Sequence, residues 1–279
     1  MSEPLLSRHA TLLRPSALRE MLSDGHPPRL SLAGGLPPVE AFPFDEIADI
    51  TNDLLRAHDV RSLQYTSAEG DQRLRAQIAD LIEFDVPPER IVVTSGSQQA
   101  IDLVARVLLD PGDIAVVESP TYVGALRAIV PTGARVVGIP CDSTGMDTDV
   151  LERRLTEGLR PTLCYLCTNF SNPSGATLSE PRRRHLADLA QQFSFVIVED
   201  DQYGRLRFSG EHIAPIASIT QNAVHLSGFS KVVAPGLRVG YMTAPAWLHR
   251  PIVLAKQAAD LATSSLPQRI VSVLLDRPE

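Results

Sequence analysis

The feature that most constrains the fold is an alternation of short apolar runs with helical segments, which begins near residue 90. Residues 91–94 form the first apolar run, residues 98–109 have helical periodicity, and a turn at 110–113 leads into the next run. Such alternation predicts an α/β fold of three layers (α/β/α), in which helices cover both faces of a mostly parallel sheet. The predicted strands are residues 91–94, 114–117, 135–139, 162–167, 195–198, 223–226 and 237–242.

The first 45 residues have a different character from the rest. A short helix is predicted at 16–22, and a glycine and two prolines within 25–28 end it. We therefore predict an N-terminal arm over residues 1–45 and one large domain over residues 46–279.

The composition narrows the function classes. A net charge of −7 argues against a nucleic-acid or anionic-membrane surface, because both need basic patches. The sequence contains no apolar run of about eighteen residues and no basic start followed by an apolar stretch, so neither a membrane span nor a signal peptide is predicted. We expect a cytoplasmic protein with small-molecule partners.

Two cysteines form a C-x-x-C pattern, which occurs in metal and redox sites. Cys164 and Cys167 lie in an apolar run that is predicted to be a buried strand. We interpret them as small core residues.

In parallel sheets, ligands bind beyond the carboxyl ends of the strands, so the residues that follow each strand are the candidates for chemistry. Gly96 and Ser97 follow the first strand and suit a phosphate, although small residues at such a turn are often structural. Tyr122 can stack on a planar ligand or pack internally. Asn172 offers an amide at a rigid corner or forms a plain turn.

Charged residues follow the fifth and sixth predicted strands. A carboxylate that ends a buried strand is costly without a positive partner, so packing does not explain Asp200, and Tyr203 lies three residues further on. Lys231 can form an imine with an aldehyde cofactor, and Arg238 can bind a phosphate. Apart from Asp200, each residue alone has an ordinary structural explanation, but five strand ends together supply phosphate donors, an aromatic ring, an amide, a carboxylate and a lysine.

Three strings in this sequence resemble those of the class I/II aminotransferases, which are fold-type I pyridoxal-phosphate enzymes. They are Gly-Ser-Gln-Gln at 96–99, Glu-Asp-Asp-x-Tyr at 199–203 and Ser-Lys-x-x-x-Pro-Gly-Leu-Arg at 230–238. The strings are most similar to those of 2-aminoadipate aminotransferases and of the aminotransferase-like domains of MocR-type regulators. The resemblance implies pyridoxal 5'-phosphate as cofactor and transfer of an amino group between an L-amino acid and a 2-oxo acid.

The resemblance also implies residue roles. Lys231 forms the Schiff base, Asp200 pairs with the pyridinium nitrogen, and Lys231, Asp200 and Tyr203 are the catalytic residues. The groups around the cofactor are Tyr65, Gly96, Ser97, Gln98, Tyr122, Asn172, Tyr203, Ser230 and Arg238. Tyr65 implies a homodimer with shared sites, because its counterpart reaches the phosphate of the neighbouring subunit. Gly34 and Gly35 lie in the substrate-side loop of the arm, and Gly35 and Asn172 are expected on the substrate side. Apart from the resemblance, we expect Arg19 on the predicted N-terminal helix to contribute to binding of the substrate carboxylate.

Two departures from the family pattern affect these expectations. Gly228 stands where the family has a phosphate-binding Ser or Thr, and Ser227 is displaced by one residue. The sequence ends at Glu279, before the C-terminal small domain of the family and its carboxylate-binding arginine. We therefore expect weak cofactor binding, poor transamination, and exposure of the apolar residues Ile252, Leu254, Leu261 and Leu274.

Two alternatives remain at this stage. One is another reaction of the same cofactor, such as that of a lyase, decarboxylase or oxidase. The other is a chain without catalysis, either an effector-sensing domain or an inactive remnant.

Overall fold

The fold is an eight-stranded sheet with helices on both faces. It is seen in a computed structural model that describes residues 5–13 and 35–277, so the predicted helix at 16–22, Arg19 and Gly34 lie outside the described residues. The strands are β1 Ile91–Thr94, β2 Ile114–Ser119, β3 Arg135–Asp142, β4 Gly145–Met146, β5 Leu163–Cys167, β6 Val196–Asp200, β7 Ala223–Gly228 and β8 Gly240–Thr243.

The described helices include the one that Ser179 and Pro181 mark at its start. None of them combines the length and apolarity that crossing a bilayer requires. The helices are α1 Arg8–Leu12, α2 Phe44–Arg56, α3 Gln72–Leu81, α4 Ser97–Leu108, α5 Val123–Ile129, α6 Thr148–Thr156, α7 Glu180–Phe193, α8 Ala246–Asp260 and α9 Ser265–Leu274.

The strand order is β1-β8-β7-β6-β5-β2-β3-β4. Strands β3, β2, β5, β6 and β7 are parallel to their neighbours in that series, which confirms the predicted three-layer fold with a mostly parallel sheet. Strand β8 is antiparallel to both β7 and β1, so β1 runs in the same direction as β7. The carboxyl ends of β1, β2, β5, β6 and β7 therefore meet at one edge of the sheet.

Alternate residues of the buried strands face opposite helix layers. In β5, Cys164 and Leu166 pack with residues of α6 and α7, whereas Tyr165 and Cys167 pack with residues of α4, α5 and α8. Both cysteines are buried, and they face opposite sides of the sheet. This arrangement confirms their interpretation as core residues.

The expected exposure of Ile252 is wrong, because Ile252 is fully buried. Leu248, Ile252 and Lys256 are spaced by four residues on α8 and share the face that is covered by the sheet and α4. Leu254 and Leu261 are exposed, as expected, at 53% and 61%. Leu274 is only partly exposed.

Three glycines allow β7, β8 and the turn after β1 to approach closely. A Cβ on Gly240 would lie 2.9 Å from two backbone atoms of Gly96, and a Cβ on Gly228 would lie 3.0 Å from the Gly240 Cα. Backbone atoms cannot move aside as a flexible side chain can. Gly228, which departs from the family pattern, thus lies against β8.

We expect Gly240→Ala to destabilise the fold by about 1–3 kcal/mol, because the added methyl group overpacks against backbone. The measurement is the free energy of unfolding in urea. Gly236→Ala is the matched control, since a Cβ there meets no atom within 4 Å. Equal stability of the two variants would contradict the close approach.

Candidate active site

The predicted site residues lie at the carboxyl edge of the sheet. The turn with Gly96 follows β1, Tyr122 precedes α5 after β2, and Asn172 follows β5. Asp200 is the last residue of β6, and Lys231 lies three residues beyond the end of β7. These groups come from distant parts of the sequence, and the parallel strands bring them to one edge.

Lys231 is half-buried at this edge. Its Nζ donates a hydrogen bond to the Gly35 carbonyl at 2.7 Å and lies 5.9 Å from the centroid of the Tyr203 ring. Burial lowers the pKa of Lys231, and the nearby positive charge of Arg238 lowers it further. The sequence contains one other lysine, Lys256, which is fully buried and paired with Asp260.

Asp200 is a buried carboxylate, 3% exposed. Tyr165 donates its hydroxyl proton to Oδ2 at 2.8 Å, and the amide Nε2 of Gln202 donates to Oδ1 at 3.0 Å. No cation pairs with Asp200 within 4.0 Å in the described part of the chain. Burial therefore dominates and raises the pKa of Asp200 to about 6, although the two hydrogen bonds oppose the shift.

Sequence reasoning missed Tyr165 and Gln202. Tyr165 lies two residues before Cys167, which pairs with Asp200 across β5 and β6, so their side chains share a face of the sheet. The available signal was a hydroxyl inside an otherwise apolar strand, because a buried hydroxyl needs a partner.

Asn172 and Tyr203 lie within hydrogen-bond reach of each other. Burial raises the pKa of Tyr203, and a side-chain hydrogen bond with Asn172 opposes that rise. A Cβ on Gly35 would lie 3.4 Å from the Tyr203 hydroxyl, so the backbone of the predicted substrate-side loop reaches this pair. Tyr122 is partly buried, and the pKa of its hydroxyl is raised by burial and by the charge of Asp200.

The turn before α4 leaves its first backbone amides without partners inside the helix. Gly96 has φ +88°, and a Cβ on it would lie 2.5 Å from Nη2 of Arg238. Arg238 donates to the Ser95 carbonyl at 2.9 Å, so its guanidinium group lies directly beside this turn. Positive charge next to free amides favours an anion.

Two further side chains near the predicted phosphate site, those of Gln98 and Ser227, donate hydrogen bonds to backbone carbonyls of the protein. Gln98 donates its side-chain amide to the Gly124 carbonyl at 2.9 Å. Ser227 donates to the Asp201 carbonyl at 2.6 Å, so its hydroxyl already has a partner outside the turn. Ser230 precedes Lys231 and is partly exposed.

Tyr65 is not part of this cluster within one chain. It is 84% exposed and lines a separate groove of about 420 Å³, together with Gln64, Arg75, Ser265 and Arg269. The groove lining does not include Lys231 or Asp200.

Three observations indicate that pyridoxal phosphate fits at this edge of the sheet. A buried carboxylate without a cation suits a protonated ring nitrogen, and a glycine turn beside an arginine suits a phosphate. A half-buried lysine with a lowered pKa suits an aldehyde, because the neutral amine is the reactive form.

The raised pKa of Asp200 leads to a pH-dependent prediction for stability. Its folded-state pKa of about 6 exceeds its ordinary value of 3.8. The stability that this carboxyl contributes is therefore fully present below the ordinary value and is lost as the pH rises through the folded value. Without cofactor, we expect the free energy of unfolding of Asp200→Asn, measured relative to that of the unsubstituted protein, to rise by about 3 kcal/mol between about pH 4 and pH 7.

Urea unfolding over a pH series measures this difference. Asp188→Asn, an exposed position on α7, is the matched control for the change of charge. A difference between Asp200→Asn and the unsubstituted protein that stays constant with pH would contradict the raised pKa.

The family model and the relatives found by comparison with known proteins all indicate the same family. The family model "Aminotransferase class I and II" matches residues 30–279. An aromatic-amino-acid aminotransferase of Thermococcus litoralis is 41% identical, over 96% of this chain and 67% of that protein. A 2-aminoadipate transaminase of Thermus thermophilus is 39% identical, over 94% of this chain and 67% of that protein.

Solved structures agree with the sequence matches. A kynurenine aminotransferase of Pyrococcus horikoshii superposes with a TM-score of 0.91 at 37% identity, covering 98% of this chain and 70% of that chain. The α-aminoadipate aminotransferase of Thermus thermophilus, solved with N-(5'-phosphopyridoxyl)-L-leucine, also has a TM-score of 0.91 at 37% identity, covering 98% of this chain and 69% of that one. The chain belongs to the aminotransferase class I and II family and is a pyridoxal-phosphate-dependent aminotransferase.

Proposed function

We propose that Lys231 binds pyridoxal phosphate and that Asp200 pairs with its ring nitrogen, in the transfer of an amino group between an L-amino acid and a 2-oxo acid. The observation that carries this assignment is the buried carboxylate of Asp200, which has two neutral donors and no ion pair among the described residues. When bound, the cofactor supplies an aldehyde that condenses with amines and a ring that accepts electrons from the substrate's α carbon.

Lys231 has two tasks in this proposal. Its lowered pKa increases the share of neutral amine, which is the nucleophilic form. The Gly35 carbonyl orients that amine through the hydrogen bond at 2.7 Å. The same amine moves the proton at the α carbon of the amino acid.

Asp200, when ionised, holds the proton on the ring nitrogen. Tyr165 and Gln202 donate one hydrogen bond to each carboxylate oxygen and so fix the direction of the carboxylate. Asn172 and Tyr203 supply donors for the phenolic oxygen of the cofactor, and Tyr122 supplies an aromatic ring for stacking.

The turn after β1 is the proposed phosphate site. Gly96 allows the backbone to approach the phosphate, and the amides and hydroxyl of Ser97 and the amide of Gln98 lie at the start of α4. Arg238 supplies the positive charge beside the turn, and Ser230 lies next to Lys231.

We also propose a homodimer with shared active sites. Tyr65 is exposed and lies in a groove apart from Lys231 of its own chain, as expected for a side chain that serves a neighbouring subunit. Val60, which lines the same groove, and Leu63, which precedes Tyr65 in the sequence, are apolar residues exposed by 69% and 75%. Exposed apolar residues grouped in this way are typical of a protein–protein interface.

Borohydride reduction tests the role of Lys231. We expect reduction of the yellow holoprotein to fix the cofactor covalently on the peptide that contains Lys231, as measured by mass spectrometry. Lys231→Arg, which keeps the charge but forms no imine, is the control and should carry no label. Because the chain has only two lysines, a label on Lys256 would overturn the assignment without ambiguity.

Subunit complementation tests the shared site. Tyr65→Ala and Lys231→Ala should each be inactive, and mixing them after subunit exchange should restore about a quarter of the sites, because half of the dimers are hybrid and each hybrid has one intact site. The measurement is transaminase activity against the mixing ratio. A monomeric protein, or verified hybrids without activity, would contradict the proposal.

A further inference from the structure

Lys256 is a buried cation that the proposed mechanism does not use. Its side chain is fully buried on the inner face of α8. Its Nζ donates to both oxygens of Asp260 at 2.9 Å, to Thr263 Oγ1 at 2.9 Å and to Gln99 Oε1 at 3.2 Å. A buried ammonium group is costly unless it is paired and hydrogen-bonded, and this one satisfies both conditions.

The residues that hold Lys256 also hold the turn before α4. Gln99 Oε1 accepts a hydrogen bond from the Ser95 amide at 2.8 Å, while Gln99 Nε2 donates to Asp260 at 2.6 Å. The Ser95 hydroxyl donates to the same Asp260 oxygen at 3.4 Å. Thr263 donates to the Val93 carbonyl in β1 at 3.2 Å. The cluster therefore contacts both the strand and the turn.

The opposite side of the turn is bonded to the proposed phosphate-binding arginine. Arg238 donates to the Ser95 carbonyl, and Gln99 accepts from the Ser95 amide, so both backbone polar groups of Ser95 have partners. A rotation of this part of the turn breaks one of these bonds, and the Arg238 guanidinium group lies so close to Gly96 that a Cβ built there would be 2.5 Å from its Nη2. The direction of the amides at the start of α4 thus depends on Gln99, and Gln99 depends on Lys256 and Asp260.

We infer that Lys256, Asp260 and Gln99 form a positioning cluster that fixes the phosphate-binding turn from inside the protein. The inference rests on the proposed role of this turn. Lys256 contacts neither cofactor nor substrate, and it acts through Gln99 and Ser95. Its loss weakens the binding of the phosphate group specifically, because the ring and aldehyde of the cofactor are held by other residues.

Comparison of pyridoxal phosphate with pyridoxal, which lacks the phosphate, separates this effect from general damage. For Lys256→Met, we expect the affinity for pyridoxal phosphate to fall about tenfold and that for pyridoxal to change less than about twofold. Equilibrium titration, read by cofactor absorbance, gives both values. Arg106→Met is the matched control, since it removes an ion pair with Asp102 four residues away on the exposed side of α4. Both affinities should stay unchanged in that variant.

Gln99→Leu serves as a second variant in case Lys256→Met does not fold. It removes the side-chain oxygen that accepts from the Ser95 amide, and it keeps the ion pair between Lys256 and Asp260. It should show the same selective loss. Equal weakening of both ligands, or no weakening of either, in the folded variants would overturn the inference. If the unsubstituted protein itself binds both ligands equally, the turn does not bind phosphate, and the proposed phosphate site fails instead.

Discussion

The site depends on one unfavourable group, the carboxylate of Asp200 at the end of a central strand. Ionised and buried, it lacks a cationic partner among the described residues, and burial raises its pKa to about 6. A shift of this size corresponds to about 3 kcal/mol of differential interaction, and in the proposed pairing a protonated ring nitrogen would supply the missing charge. We therefore expect the protein without cofactor to be less stable at neutral pH than it would be with a neutral residue at position 200, and we expect the same charge to favour cofactor binding.

The sheet brings the other groups of the proposed site to the edge at which Asp200 lies. Parallel β5, β6 and β7 bring Asn172, Asp200 and Lys231 to one edge although they are distant in sequence. Antiparallel β8 returns the chain so that Arg238 lies beside Gly96. A second buried charge cluster supports β6 from its other face, where Glu199 contacts Arg183 at 3.7 Å and His225 at 3.5 Å.

Much of this architecture follows from patterns within short segments. Apolar periodicity predicted the strands to within a few residues, and it located the candidate groups because strand ends are visible in the sequence. It gave no strand direction, since a buried strand has the same composition in either orientation. The antiparallel direction of β8 was therefore not predicted, and the strand predicted at 237–242 begins only at Gly240.

Contacts between segments that are distant in the sequence also could not be predicted. The bond from Tyr165 to Asp200 joins two strands, and Lys256 meets Gln99 across two helices, so no local pattern reveals either pair. The expected exposure of Ile252 was wrong for a related reason, because the helix face it shares with Leu248 is covered by residues far away in the chain. Pairing and covering surfaces are tertiary properties.

The most direct test of the account is the protonation state of the bound cofactor. Pyridoxal phosphate labelled with nitrogen-15 in the ring reports that state through its chemical shift over a pH series. The account predicts a protonated nitrogen in the unsubstituted protein well above the pH at which the free cofactor loses this proton, and a neutral nitrogen in Asp200→Asn. A neutral nitrogen in the unsubstituted protein, or a protonated one in both proteins, would contradict the pairing of Asp200 with the ring.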